Sequence, residues 1–287
     1  MQPQINEVEI VNYYDNCQID YEIVWHLNTH MCMHYGYWDS NTKNLRAALN
    51  NMNVQVAKLV NPMPDMHVLD AGCGVGGSSV FLAKNFGCKT TGITLSDKQV
   101  QTCFSNAIKC GVAHLSHFEK QNYLNTHFAD NTFDVVWAIE SVCYAFDKAD
   151  FIKEAYRILK PGGKLVVADF FNYKVQPNTR QHLLMQKWTS TWAIKQYADV
   201  DEFYKKLSNC GFVNCTQKDV TAQVIKSIKR LYYSFFPGLP ITYISQWLGF
   251  RNRTQTANTW STYYQYKAYK QNLWRYMFYT GTKPKNN

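Results

Sequence analysis

Val68-Leu69-Asp70-Ala71-Gly72-Cys73-Gly74-Val75-Gly76-Gly77 is the stretch of this 287-residue chain that decides its fold. A short apolar run ends in an acid and passes directly into a cluster of glycines. This pattern is typical of a buried parallel strand that turns tightly into a helix. We predict a strand over 66–70, a helix over 78–85 and a nucleotide-like cofactor over the carboxyl end of the strand.

The same alternation of apolar strands and amphipathic helices continues along the chain. Helical spacing predicts helices over 44–59, from the N-cap Ser96 to about 109, and over 150–159, 176–196, 200–210 and 221–235, the last ended by the proline-rich bend 237–240. Further strands are predicted over 88–94, 115–119, 133–139, 164–170, 212–218 and 274–280. The fold class is therefore α/β, with a doubly wound, mostly parallel seven-stranded sheet.

Composition narrows the class of protein. With 46% hydrophobic residues the chain can bury a large core, and no apolar run has the length of a membrane span. The first residues lack the pattern of a secretory signal. Nine cysteines without a Cys-x-x-Cys pair favour reduced thiols in the cytoplasm and no metal site. The net charge of +9 is spread rather than massed, so we expect no nucleic-acid partner.

Two cofactor classes, or no ligand at all, are compatible with the glycine turn. Gly72, Gly74 and Gly77 satisfy the G-x-G-x-x-G fingerprint of dinucleotide-binding proteins. Those proteins usually carry an acid at the end of the second strand, where this chain has Thr94. The well-placed acid is Asp70, directly before the turn.

The order Asp70-Ala71-Gly72-Cys73-Gly74-Val75-Gly76 resembles the first motif of class I S-adenosylmethionine-dependent methyltransferases. Gly92-Ile93-Thr94-Leu95-Ser96 with Gln99 is similar to the form found in cyclopropane synthases and related enzymes, and 133–141 and 157–163 match later motifs in the right order. Residues 138–141 and 274–284 look most like tocopherol and sterol methyltransferases. The resemblance implies a Rossmann-like methyltransferase fold that binds S-adenosylmethionine.

The resemblance also implies which residues hold that cofactor. Asp70 and the turn would bind its amino-acid part, Thr94 and Gln99 its ribose, and Asn122 its adenine. Many relatives have Asp where Asn122 stands, and a bland polar loop residue is the alternative reading of this position. The expected cofactor-binding set is Tyr14, Asp70, Gly72, Cys73, Gly74, Gly76, Thr94, Leu95, Gln99, Gln121, Asn122, Tyr123 and Ile139.

The aromatic N-terminal segment resembles the lid of the cyclopropane and sterol branches. Tyr13-Tyr14-Asp15 and the stretch 34–39 carry the likeness. Aromatic faces attract a sulfonium cation, and a closed lid excludes water; the alternative is an aromatic helix that only packs on the sheet. We divide the chain into a helical lid over 1–60 and a methyltransferase domain over 61–287, with a helical cap inserted at about 220–270.

Glu140, Tyr144 and His34 are the candidate catalytic residues. Glu140 follows the carboxyl end of the fourth strand, and Tyr144 lies four residues further on. Tocopherol-type relatives have His where Tyr144 stands, so His34, His26 or His30 could replace that base, although a lone histidine is more often structural. Cyclopropane synthases have Glu where Cys143 stands, which makes cyclopropanation a poor fit.

The aromatic residues between 232 and 250 fit a pocket for a small lipophilic acceptor such as a prenylated phenol, sterol, terpenoid or amine. Together with nearby lysines and arginines they could also rest peripherally on an anionic membrane, or simply pack the cap. We expect methyl transfer to the acceptor by in-line displacement. An NAD(P)-dependent oxidoreductase and a non-catalytic lipid- or cofactor-binding protein are the alternatives, and the oligomeric state is not assigned.

Overall fold

A computed structural model of the protein describes residues 7–173 and 176–285. Seven strands form one sheet in the order β3-β2-β1-β4-β5-β7-β6. Strands β1 to β5 pair in parallel, and β7 runs antiparallel to both β5 and β6. This confirms the predicted sheet. The strands are β1 His67–Ala71, β2 Lys89–Thr94, β3 Ser116–Lys120, β4 Phe133–Ile139, β5 Leu159–Asn172, β6 Val213–Asp219 and β7 Trp274–Thr282.

Helices α3 to α8 lie close to their predicted positions because their ends carry local signals. Ser96 accepts a hydrogen bond from the backbone N–H of Gln99 and begins the fifth helix, as predicted. The helices are α1 Glu7–Val24, α2 Leu27–His30, α3 Leu45–Val60, α4 Gly77–Phe86, α5 Asp97–Lys109, α6 Lys148–Ile158, α7 Thr179–Thr191, α8 Val200–Asn209, α9 Thr221–Trp247 and α10 Arg253–Lys270, with a short 3₁₀ helix at Val142–Tyr144.

The central strands are buried on both faces, which explains their continuous apolar sequences. In β4, Val135 and Trp137 join the apolar cluster that contains α3, whereas Val136 and Ala138 join the cluster that contains α6 and α8. The two layers of helices therefore leave only the strand ends open. The carboxyl ends of β1, β2 and β4 meet at one edge of the sheet, where a site can form.

Helix α9 is longer than predicted. The bend expected at 237–240 is wrong, because α9 continues through Pro237 and Pro240 to Trp247. A proline deprives the carbonyl four residues earlier of its donor, and here those carbonyls belong to Tyr233 and Phe236, which are exposed and can be hydrated. Strand β5 is also longer than the predicted 164–170. The backbone of Gly162 and Gly163 pairs with Lys283, just beyond β7.

The N-terminal segment packs against the C-terminal helices. The Tyr13 hydroxyl donates to Asn258 Oδ1 on α10 over 3.0 Å. Arg251, between α9 and α10, makes two hydrogen bonds to Asp20 of α1, at 2.6 and 3.0 Å. Residues 1–6 of the predicted lid lie outside the described residues. Helix α1 thus packs on the C-terminal helices rather than standing apart from them.

Candidate active site

The glycine turn after β1 leaves no room for a side chain at its first position. Gly72 has φ of +87°, and a Cβ there would lie 2.4 Å from Cβ of Ser141. Ser141 is itself fixed, because its hydroxyl donates to the carbonyl of Ala71 over 2.6 Å. The turn therefore brings bare backbone to the carboxyl end of the sheet, as a close-fitting ligand requires.

Asp70 is buried directly before this turn, with 3% of its surface exposed. Its carboxylate accepts a hydrogen bond of 2.7 Å from the Ser79 hydroxyl on α4. Burial raises the pKa of Asp70 to about 6, against the lowering effect of that hydrogen bond. The carboxyl group titrates close to neutral pH when the cleft holds no cation.

This shift makes the stability of the ligand-free protein depend on pH. Because the pKa of Asp70 is raised in the folded protein, a proton on this carboxyl group favours folding. The contribution of this protonation to the free energy of unfolding is complete below the pKa of an unfolded Asp and is lost as the pH rises through about 6. Between pH ~5 and ~7, we expect Asp70 to account for a fall of about 1 kcal/mol in the free energy of unfolding. Urea unfolding of Asp70→Asn and wild-type protein at both values measures this. An unchanged pH dependence in the variant would contradict it.

A cleft opens beside the turn and contains most of the predicted cofactor-binding set. It is lined by Tyr14, Asp70, Gly72, Cys73, Gly74, Thr94, Leu95, Gln99, Gln121, Asn122, Tyr123 and Ile139. Gly76 is the exception, and its prediction is corrected. It caps α4 at φ +83°, and its Cα faces Cys103 and Phe118 rather than the cleft. Gly76 shapes the turn without lining the cleft.

Two polar groups of the cleft already have partners. The Thr94 hydroxyl donates to Gln99 Oε1 over 2.5 Å, so the two predicted ribose contacts form one unit. Asn122 donates from Nδ2 to Glu7 Oε1 over 2.7 Å, while its Oδ1 accepts from the backbone of Leu124. Asn122 therefore joins the floor of the cleft to α1, which is more than a bland loop residue does.

Helix α1 and the loop after α2 cover the cleft. Glu7, Ile10, Val11 and Tyr14 line it from α1. In the loop, the Met31 carbonyl oxygen lies against α4 so closely that a Cβ on Gly77 would be 1.8 Å from it. Helix α1 and this loop therefore form one wall of the cleft.

A second cavity of about 290 Å³ lies between α1, the cap helices and the end of β5. Its walls are mostly apolar and aromatic, with Trp25, Phe170, Trp192 and Phe235 among them. The paired Asp20 and Arg251, whose side chains are 13% and 17% exposed, form part of its polar lining. An apolar molecule with few polar groups matches this lining.

The cleft and the cavity meet at Tyr14, Met33, Glu140 and Tyr144, which line both. Glu140 has φ of +51°. Its Oε1 accepts hydrogen bonds from the backbone N–H of Tyr35 at 2.7 Å and the hydroxyl of Tyr276 at 2.8 Å. No described residue donates to Oε2. Burial raises the pKa of the Glu140 carboxyl well above its usual range.

Tyr144 also lies at this junction, as predicted for a residue that shares the acceptor pocket with Glu140. Its hydroxyl accepts a hydrogen bond of 3.0 Å from the Tyr14 hydroxyl. The two rings are 5.7 Å apart. This hydrogen bond joins α1 to the segment after β4. Aromatic side chains from two distant parts of the chain therefore meet at the junction of the cleft and the cavity.

The prediction of His34 as a base is corrected. Its Nδ1 is 3.0 Å from the Tyr35 carbonyl and its Nε2 is 3.3 Å from Asn53 Nδ2, so both ring nitrogens have protein partners. Burial lowers the pKa of His34 to about 4. His34 also lines the cleft and not the cavity. His26 and His30 line neither space.

Three residues that shape the junction were not among the predicted site residues. Met33 lines both spaces, and Tyr35 and Tyr276 hold Glu140. Met33 directly precedes the stretch 34–39 assigned to the lid and Tyr35 lies within it, which is the one signal that pointed to them. Tyr276 lies in β7, and only the antiparallel pairing of β7 with β5 brings it to Glu140.

Within residues 7–173 and 176–285, no group of three His, Cys, Asp or Glu side chains could hold a metal ion. No helix in that part of the chain has both the length and the apolar character needed to cross a bilayer.

Comparison with known proteins agrees with the motifs. Residues 69–167 match a family model described as a methyltransferase domain. The chain is 37% identical over 153 residues to 2-methyl-6-phytyl-1,4-hydroquinone methyltransferase of Synechocystis, covering 52% of this chain and 47% of that one. It is 32% identical over 185 residues to O-methyltransferase resE of Aspergillus sclerotiorum, covering 63% and 68%. The chain spans about half the length of several curated relatives that it matches.

Solved structures share the whole fold. The crystal structure of the [4+2]-cyclase SpnF superposes with a TM-score of 0.80 at 22% identity, over 99% of this chain and 97% of that one. Fold, motifs and sequence similarity thus agree over the glycine turn and the strands around it. The chain belongs to the class I S-adenosylmethionine-dependent methyltransferase family.

Proposed function

We propose that this protein transfers a methyl group from S-adenosylmethionine to a small lipophilic acceptor. The observation that carries the proposal is the junction of the cofactor cleft with the acceptor cavity at Tyr14, Met33, Glu140 and Tyr144. Methyl transfer needs donor and acceptor to approach in line, each held on its own side of one point. The enzymatic activity rests on this geometry together with the family membership.

The residues of the cleft fit the cofactor. The tight backbone at Gly72 admits a close ligand, Asp70 offers an anionic partner for an ammonium group, and the unit of Thr94 and Gln99 offers polar atoms for a ribose. When bound, S-adenosylmethionine supplies a methyl group on a sulfonium cation. The aromatic rings of Tyr14 and Tyr144 attract such a cation, and α1 excludes water from it.

Glu140 is the proposed catalytic residue on the acceptor side. Its Oε1 is held by Tyr35 and Tyr276, no described residue donates to its Oε2, and the residue lines both the cleft and the cavity. An acceptor O–H or N–H group must lose a proton on methylation, and a carboxylate with a raised pKa is suited to receive it. The similarity to a 2-methyl-6-phytyl-1,4-hydroquinone methyltransferase supports an acceptor that is largely apolar and carries polar groups.

The division into a lid over 1–60 and a methyltransferase domain over 61–287 with a cap at about 220–270 is part of this proposal. Hydrogen bonds between α1 and α10 and the coverage of the cleft by α1 support it. We also propose a cytoplasmic protein that makes peripheral contact with membranes, because lipophilic acceptors concentrate in bilayers.

Ligand-induced stabilisation tests the cofactor. At one hundred times its dissociation constant, S-adenosylhomocysteine is expected to add about 2.7 kcal/mol to the free energy of unfolding, whereas NAD adds nothing measurable. Differential scanning calorimetry with each ligand measures the difference. A shift with NAD alone would favour the oxidoreductase alternative, for which Thr94 is the wrong residue.

Turnover separates the enzyme from a binding protein of the same fold. Release of S-adenosylhomocysteine is measured with a panel of lipophilic phenols, amines and sterols. Since a cyclase shares the fold, the acceptor must also gain mass by one methyl group. Cofactor binding without methylation of any member of the panel would favour the non-catalytic alternative.

A further inference from the structure

The end of α9 and the turn after it carry a cluster of exposed apolar side chains that no described residue covers. Trp247 is 84% exposed and Phe250 is 80% exposed. Large aromatic side chains left in water in this way mark an interaction surface when they are grouped. We call this group the tip surface; it consists of Ile241, Tyr243, Ile244, Trp247, Leu248 and Phe250.

The charges around the tip surface have one sign. Every charged side chain between residues 221 and 271 is a lysine or an arginine. Arg253 is exposed at the start of α10, three residues after Phe250. Arg251, directly after Phe250, is paired with Asp20 of α1. The exposed Lys226 and Lys229 lie near the other end of α9, about 18 Å or more along the helix from Ile241. The tip surface is therefore apolar, with Arg253 beside it and no carboxylate contributed by residues 221–271.

The tip surface is continuous with the entrance to the acceptor cavity. Ile241 belongs to the tip surface and also lines the cavity. Gly238, which lies three residues earlier on α9, lines the cavity as well. On the other side, Ile23 of α1 lines the cavity and is 65% exposed. Apolar side chains of α1 and α9 that line the cavity are thus also exposed beside the tip surface.

We propose that the tip surface docks on an anionic phospholipid bilayer, so that the lipophilic acceptor enters the cavity directly from the membrane. Apolar side chains inserted at the headgroup boundary, with cations around them, are the combination that binds such a bilayer. Two observations together select the occupant. The absence of carboxylates between residues 221 and 271 favours an anionic partner, and the sharing of Ile241 between the tip surface and the apolar cavity favours a lipid surface over an acidic protein. The docking gives the peripheral membrane contact of the proposed function a surface, and the passage of the acceptor rests on the proposed methyl transfer.

Flotation with vesicles tests the docking of the full chain. Wild-type protein is expected to float with phosphatidylcholine vesicles that contain about one third phosphatidylserine, to float less as salt is added, and to bind phosphatidylcholine alone more weakly. The double variant Trp247→Ser/Phe250→Ser is expected to lose roughly tenfold or more in vesicle affinity. Ile108→Ser, which removes an exposed apolar side chain (68%) from α5, is the matched control and should float like wild type.

Two further measurements keep the proposals apart. S-adenosylhomocysteine should bind the double variant as it binds wild type, because neither residue lines the cleft. If wild-type protein does not float, or if the double variant floats equally well, the docking proposal is overturned while cofactor binding stands. If sedimentation velocity shows a dimer that the double variant abolishes, the surface serves a second copy and the membrane proposal fails. Absence of S-adenosylhomocysteine binding would overturn the proposed function whatever the vesicles show.

Discussion

Glu140→Gln is expected to lower turnover by roughly 100-fold or more, while the affinity for S-adenosylhomocysteine changes by less than about threefold. Glutamine keeps an oxygen that accepts from Tyr35 and Tyr276, so the junction retains its shape. It cannot take a proton from an acceptor. Steady-state kinetics and calorimetric titration of S-adenosylhomocysteine measure the two quantities.

The pH profile distinguishes a base from a structural residue. Because the pKa of Glu140 is raised, turnover should increase with pH as the carboxyl ionises, and Glu140→Gln should lose this dependence. The Tyr276 hydrogen bond lowers the pKa of Glu140, so the control Tyr276→Phe should move the profile to higher pH. Equal losses of turnover and cofactor affinity in Glu140→Gln would instead assign Glu140 to the cofactor cleft.

Gly77→Ala is expected to weaken S-adenosylhomocysteine binding roughly tenfold or more, which corresponds to at least about 1.4 kcal/mol of binding free energy. Its Cβ would lie 1.8 Å from the Met31 carbonyl oxygen, so the loop after α2 must move away from α4. That movement opens the lid over the cleft. Calorimetric titration gives the affinity, and protection of residues 31–33 from hydrogen exchange should fall in parallel.

Gly111→Ala is the matched control for this variant. Gly111 has φ of +73°, yet a Cβ there would meet nothing within 4 Å. We expect it to lower the free energy of unfolding by about 1 kcal/mol and to leave cofactor affinity unchanged. Wild-type affinity in Gly77→Ala, or an equal loss in both variants, would show that the contact with Met31 does not hold the cofactor in place.

Most of the sheet and its helix ends could be predicted because their signals are local. The apolar run 133–139 coincides with β4, and Ser96 begins α5 as its capping chemistry requires. The glycines after Asp70 indicate a tight turn, because they adopt backbone conformations that few other residues can adopt. The same locality explains why predicted residues at the carboxyl ends of the parallel strands line the cleft, whereas Glu7, Ile10 and Val11 of α1, which tertiary packing brings to it, were not predicted.

The errors occur where a residue's role depends on distant partners. The imidazole of His34 is of a type that can act as a base, but its two ring nitrogens already have Asn53 and the Tyr35 carbonyl as partners. Pro237 and Pro240 are helix breakers by propensity, yet they lie on a face of α9 where water can hydrate the freed carbonyls. Neither outcome can be read from a window of neighbouring residues.

The sequence alone determined the α/β sheet and the position of its cofactor cleft. Hydrophobic periodicity, turn glycines and cap residues specify both, because each of these signals depends only on residues that are neighbours in the sequence. The meeting of Tyr14 with Tyr144, and of Glu140 with Tyr276, joins positions more than a hundred residues apart. Those contacts come from the order of strands in the sheet and the packing of α1 on the cap. Burial and partner choice at the junction, and hence the chemistry that Glu140 can perform, therefore belong to the folded chain.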